Sequence, residues 1–232
     1  TTLGTASNSW TVEGWLQLAE NPASFRYLAG TRDTAAGFFF DARTNTSGNT
    51  KINMFFQDNS NRTVSAQSVA NLAFGSDPQD GNNWYHYAFV WNADTKSLNL
   101  YLNGSLDTTV NVLGTNAAFN FAGMDANDSG VYFVGGRTGG NTWSGRLDEM
   151  RISSTNLAPS AFLNANTWFA NASGNWSDSS KWSAGNVVDG VGATANLISQ
   201  ITTNRTVTVD SSRTVGRLVL SDPTGTQVWT VD

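Results

Sequence analysis

The chain contains no cysteine, which excludes disulfides, thiolate nucleophiles and cysteine-ligated zinc. Charge is scarce as well. Only 13% of the 232 residues are charged, with a net charge of −5, so solubility rests on Asn, Ser, Thr and Gly. There is no basic stripe to displace counterions from a phosphate backbone, which excludes nucleic acid as a partner. No apolar run approaches the roughly 20 residues of a membrane-spanning helix. Helical periodicity beyond about one turn is missing, apart from a short start near Pro159–Asn164. Groups suited to acid–base chemistry are few: three glutamates (Glu13, Glu20, Glu149) and one histidine, His86. Asp148-Glu149 is the nearest approach to a catalytic pair, but adjacent strand residues point to opposite faces. These absences argue against an enzyme.

What is present is alternation. Tyr85–Trp91 and Ser97–Leu102 flank the polar turn Asn92-Ala93-Asp94-Thr95-Lys96, and Asn103-Gly104 turns the chain again, which predicts a central antiparallel hairpin. Leu98, Leu100 and Leu102 alternate with Asn99, Tyr101 and Asn103, one face buried and one wetted. Further strands are expected at Ser9–Leu18, Phe25–Thr31, Gly37–Arg43, Lys51–Gln57, Thr63–Leu72, Asp107–Val112, Val131–Arg137 and Arg146–Ser153, with a loop at Gly123–Gly130.

Several ordered blocks carry a family resemblance. Trp84-x-His86-x-Ala88 is followed by Leu98-x-Leu100-Tyr101-x-Asn103-Gly104. Val134-Gly135-Gly136 precedes Trp143-x-Gly145-x-Leu147-Asp148-Glu149-Met150-x-Ile152, then Leu157-x-Pro159-Ser160. With Thr11-Val12-Glu13-Gly14-Trp15, these resemble the laminin G-like (concanavalin A-like) jelly rolls over residues 8–165. The resemblance implies an all-β antiparallel sandwich, with His86 at a structural strand position and Trp143 packing inward. It names no ligand, since such jelly rolls carry many functions.

Near residue 166 the texture changes. Trp168, Trp176 and Trp182 sit among Asn, Ser, Gly and Asp, and three short alternations follow, with Val209, Leu220 and Val231 at equal intervals. Equal spacing of strand and turn is the mark of stacked repeats. The segment resembles the opening of the β-solenoids of bacterial autotransporter-like surface proteins, which implies that these tryptophans pack as a cap core. We therefore expect two units, a jelly roll over 1–165 and a small truncated β-solenoid-like unit over 166–232, with further domains of the same chain beyond it.

Candidate site residues follow from the alternation. In Gly37–Arg43, Phe39, Asp41 and Arg43 oppose the core set Phe38, Phe40 and Ala42. In Lys51–Gln57, Asn53, Phe55 and Gln57 oppose Ile52, Met54 and Phe56. Aromatic faces beside amide, carboxylate and guanidinium groups suit a pyranose, which presents an apolar C–H face and a rim of hydroxyls. Trp15, Gln17 and Arg137 join this set if their strands neighbour it, and Trp91 and Tyr101 are alternative platforms. Asp125, Asp128 and Asp148 are candidate ligands for a structural calcium, the first two in an oxygen-rich turn. The expected function is a non-catalytic carbohydrate-binding module holding a neutral or acidic polysaccharide on the concave sheet. It is expected in a secreted or surface bacterial protein whose leader has been removed. The alternatives are a structural adhesin module with a protein ligand or none and, least favoured, a polysaccharide hydrolase or lyase.

Overall fold

The computed structural model describes residues 6–32, 36–74, 84–126, 131–137, 140–163, 166–222 and 226–232. The chain divides into two compact units, one formed by Thr1–Ser76, Asn83–Leu102 and Leu106–Leu157, the other chiefly by Ala158–Asp232.

The larger unit is an antiparallel β-sandwich. Its strands are β1 (Trp10–Leu18), β2 (Arg26–Gly30), β3 (Gly37–Thr44), β4 (Thr50–Gln57), β5 (Thr63–Gln67), β6 (Trp84–Asn92), β7 (Ser97–Leu102), β8 (Ser105–Asn111), β9 (Phe133–Val134) and β10 (Gly145–Ser153). One sheet has the order β10-β1-β6-β7-β8 and the other β5-β4-β3-β2-β9. Sequence neighbours thus mostly pair, while β10 returns to the edge beside β1.

The expected hairpin is β6–β7. Asn92 Oδ1 accepts from the amides of Asp94 and Thr95 at 2.9 and 3.1 Å, and Lys96 takes φ 55° to close the turn. Asn103 and Gly104 follow at φ 50° and 82°, the left-handed region that Asn and Gly tolerate.

Aromatic side chains from both sheets meet in the core. Phe40 of β3 lies 3.6 Å from Phe89 of β6, ring centre to ring centre, and Trp10 of β1 stacks on Phe38 of β3 at 4.7 Å. Phe56 of β4 meets Trp91 of β6 edge-on. Each such ring removed from water contributes roughly 1.5–3 kcal/mol before entropy is counted. The motif around Trp143 has a clear local cause. Its indole donates to the Gln17 carbonyl at 3.2 Å, and Gly145, at φ +142°, abuts the same oxygen so closely that a Cβ would stand 1.9 Å from it. Only glycine fits there.

Some expectations need correction. The segment expected as the loop Gly123–Gly130 begins inside a helix, α2 (Phe121–Ala126), which follows the short α1 (Val112–Thr115). Asn111 caps α1, its side chain accepting from Gly114 N. The strand expected over Thr63–Leu72 stops at Gln67, and Val131–Arg137 contributes only the two residues of β9. One wetted face holds for β7 but not for β1, where Thr11, Glu13 and Gln17 on the face away from the core are also buried.

The smaller unit is built differently. Its strands β11 (Gly174–Asn175), β12 (Thr194–Leu197), β13 (Arg205–Thr208), β14 (Arg217–Leu220) and β15 (Trp229–Val231) pair in parallel, as β11-β13-β15 and as β12-β14. Val207 lies opposite Val231 and Leu197 opposite Leu220. The equal spacing does not set the register: Val209 lies past the end of β13 and is exposed, as is Leu220, and it is Val207 that faces Val231, in pairing that skips every second strand. Trp168, Trp176 and Trp182 are fully buried against one another and pack with Val188, Leu197 and Val207. Each indole N–H finds a carbonyl: Ala172, Val188 and Trp176, respectively. They form a core, as the resemblance implied.

Candidate functional site

The face of β5-β4-β3-β2-β9 turned away from the core gathers most of the expected residues. Register places Asp41 opposite Asn53 and Phe39 opposite Phe55, with Gln57 across from Gly37. Pleating then puts Phe39, Asp41 and Arg43 on one side with Asn53, Phe55 and Gln57, and the core residues on the other. On β2, Tyr27 stands opposite Asp41 and joins the same face. Phe39 stacks on Phe55 at 4.7 Å and on Tyr27 at 5.6 Å, and Phe25 lies 6.0 Å from Phe39. A row of rings thus crosses three strands.

Guanidinium groups lie over these rings. Arg32 sits 5.7 Å from the Phe39 ring centre and 5.3 Å from that of Phe55, and its Nε donates to Gln57 Oε1 at 2.8 Å. Gln57 passes the chain on, its amide donating to Asn61 Oδ1 at 2.7 Å. Arg43 and Arg137 each stand 5.4 Å from the Phe25 ring centre. These are cation–π distances. Arg137 therefore belongs to the face, as expected. The turn that delivers Arg32 depends on Gly30, at φ +152°, where a Cβ would meet the Phe38 carbonyl oxygen at 2.3 Å.

Asp41 is fully buried beneath this layer. Its carboxylate accepts from Arg43 through both oxygens, Nε at 2.9 Å and Nη2 closer still, a fork-to-fork pairing. Burial raises the Asp41 carboxyl above the ordinary carboxylate range, against the pull of Arg43 and then of Asn53. The Arg43 guanidinium is raised in turn by its bond to Asp41. Asn53 Nδ2 has no partner at full bonding geometry, although the amide stands near enough to Asp41 to favour its charge. Lys51 turns to the Val69 and Ala70 carbonyls, at 2.5 and 3.3 Å.

Trp15 does not join this face. It lies on β1, in the other sheet, with Gln17, and its ring meets His86 edge-on at 5.4 Å. There the structure shows a cluster that sequence reasoning missed. Glu13 and His86 are fully buried, with His86 Nε2 and Glu13 Oε2 at 3.1 Å, and Arg151 of β10 donates its Nε to Glu13 Oε1 at 2.7 Å. Burial holds the imidazole below its ordinary pKa, opposed by Glu13. In register Glu13 stands opposite Arg151 and Ala88, and Trp15 opposite His86, but the shift between Glu13 and Trp15 against β10 hides this pairing from the sequence. Phe25, Tyr27 and Arg32 were missed too. Phe25-x-Tyr27 has the right spacing, but a bulge between Tyr27 and Ala29 breaks the alternation beyond it.

The alternative platforms divide. Trp91 is buried in the sandwich core, whereas Tyr101 is half-buried on the face carrying Glu13 and His86. Asp128 lies outside the described residues. Asp125 spends its carboxylate on the Ala6 amide, at 2.9 and 3.1 Å, and Asp148, exposed, accepts from Glu149 N at 2.8 Å. Among the described residues no three His, Asp or Glu side chains gather as a metal site would require.

With this geometry in hand, the chain can be set beside known proteins. The laminin G model of the Concanavalin A-like lectin/glucanases superfamily matches residues 1–161. The chain belongs to that superfamily. Comparison with curated proteins finds no match. Similar solved structures include a candidate carbohydrate-binding protein from Bacteroides ovatus ATCC 8483, at 14% identity and TM-score 0.49 over 66% of this chain and 39% of that one. Domain 4 of AbnA, a GH43 extracellular arabinanase from Geobacillus stearothermophilus, in complex with arabinotriose, shows 19% identity and TM-score 0.47 over 66% and 64%. A heptameric SAP-like pentraxin from Limulus polyphemus shows 17% and 0.45 over 68% and 72%. The match thus spans about two fifths of the Bacteroides chain.

Proposed function

We propose that the larger unit is a non-catalytic carbohydrate-binding module of a secreted or surface protein, holding a polysaccharide on the outward face of β5-β4-β3-β2-β9. One observation carries the reading: Phe25, Tyr27, Phe39 and Phe55 form a continuous aromatic row interleaved with the amides of Asn53 and Gln57 and with guanidinium donors. The rings support the guanidiniums, and donors held on such a support are what a sugar's hydroxyl rim and acidic substituents require. The placement of the carboxylates supports the non-catalytic part. Glu13 is buried against Arg151 and His86, and Asp41 against Arg43, so neither is placed as the exposed acid or nucleophile of a glycosidase pair.

A second reading is favoured by the smaller unit. Its parallel ladders are what stacked coils produce, and a β-solenoid of the autotransporter-like kind would make the jelly roll a module displayed on a structural stalk. The two readings are compatible, and the binding face decides between a displayed lectin and a plain adhesin module. The test is affinity electrophoresis on neutral and acidic polysaccharides, with and without EDTA. Retardation that survives EDTA is expected. Retardation abolished by EDTA would move the site to calcium at Asp125, Asp128 or Asp148, and none on any glycan would sink the carbohydrate reading.

A further inference from the structure

From the order of the layers on the aromatic face, which rests on the carbohydrate-binding reading above, we propose that its ligand is an anionic glycan, held through carboxylate or sulfate groups by Arg32, Arg43 and Arg137. The rings are the support for the cations and not the contact surface for the sugar. Tyr27 and Phe39 are buried outright, and Phe25 and Phe55 are only half-exposed. The groups lying on them are guanidiniums: Arg32 over Phe39 and Phe55, with Arg43 and Arg137 both on Phe25. A sugar cannot stack on those ring faces without displacing a cation.

A guanidinium carries five N–H donors in one plane and can serve a protein acceptor and an oxyanion together. Arg43 and Arg137 both approach Phe25, which gathers two guanidiniums about one ring. The supports hold them in place. Gln57 accepts from Arg32 Nε, and Asp41 accepts from Arg43 through both oxygens, so little side-chain entropy remains to be lost on binding. Asp41 is itself fully buried and its charge is matched by Arg43, so it presents no bare carboxylate to an incoming anion. Among the described residues, the arginines on these rings outnumber that one carboxylate, although the whole chain carries −5. A polyanion is thus repelled by the molecule at large and attracted only locally, a pattern that serves selection more than bulk adhesion.

The experiment compares matched polymers in affinity electrophoresis: polygalacturonate against its fully methyl-esterified form, and dextran sulfate against dextran. Wild type should be retarded by the charged member of at least one pair, more weakly as salt is raised, and not by its neutral partner. Arg32→Ala and Arg137→Ala should each weaken that binding at least roughly tenfold, while Arg217→Ala, the same change of charge on β14, should leave it unchanged. Thermal melting of each variant separates lost binding from lost fold. Arg32→Lys provides a second check, because it keeps the charge but loses the planar fork and should recover only part of the affinity. Equal retardation on charged and neutral members would overturn the anionic assignment while leaving the carbohydrate reading intact. Retardation on charged polymers that Arg217→Ala reduces as much as Arg32→Ala would overturn the location. No retardation on any polymer would overturn both the assignment and the reading it rests on.

Discussion

Both sheets of the sandwich bury a carboxylate on the face turned from the core, and they neutralise it differently. On one, Asp41 meets Arg43 under a row of phenyl rings carrying further guanidiniums. On the other, Glu13 is shared between Arg151 and the imidazole of His86, with Trp15 edge-on. The first arrangement sets donors outward over an aromatic support. The second turns its polar atoms on one another, and Glu13 and His86 are closed off from water. A pairing of acid and arginine is therefore no guide to function by itself. The groups above it decide whether it supports a surface or fills one.

Removing the arginine breaks the comparison most sharply. Arg43→Ala leaves Asp41 buried with only the Asn53 amide nearby, and should cost toward the lower end of the roughly 3–5 kcal/mol typical of a stranded buried charge, since Arg43 is itself a third exposed. Arg151→Ala leaves Glu13 with its bond to His86 and should cost less. Denaturant melts of both variants test this, and a larger loss for Arg151→Ala would contradict the account.

Acid should separate the faces next. His86 is the only histidine, and burial lowers its folded pKa below the unfolded value of 6.5, with Glu13, Glu149 and Arg151 the charged groups around it. The unfolded chain then takes up the proton first, so stability is full above pH 6.5 and falls as pH drops below it. Asp41 acts with the opposite sign and in a lower window. Its folded pKa is raised above 3.8, so protonation in the fold offsets part of the acid loss. Melts at pH 7.5 and 5.5 should show a drop in wild type that His86→Gln removes. An equal drop in that variant would place the titration elsewhere. The smallest effect is expected at Arg26→Ala, whose pair with Glu20 is exposed. A loss as large as that of Arg151→Ala would be out of line with a surface ion pair.

Much of this was legible in the chain. Period-two alternation located the outward sets of β3 and β4 because their register runs without interruption from Gly37/Gln57 to Thr44/Thr50. It failed where the backbone departs from the period. The bulge beyond Tyr27 in β2 concealed the Arg32 contribution, and a shift between Glu13 and Trp15 against β10 concealed the Glu13–Arg151 pair. Trp15 was placed with the wrong sheet because alternation gives the side of a strand and not its neighbours. Nor could alternation tell a wetted face from a covered one. The covering groups come from segments distant in sequence, as Arg137 reaches Phe25.

The most direct test of the central claim compares the two faces in one gel. Phe55→Ala removes a ring beneath Arg32, and Tyr101→Ala removes a half-buried ring from the opposite face. With both variants shown to be folded by melting, loss of polysaccharide retardation in Phe55→Ala and its retention in Tyr101→Ala is the result expected. Retention in Phe55→Ala with loss in Tyr101→Ala would place the ligand on the Glu13–His86 face and contradict the account.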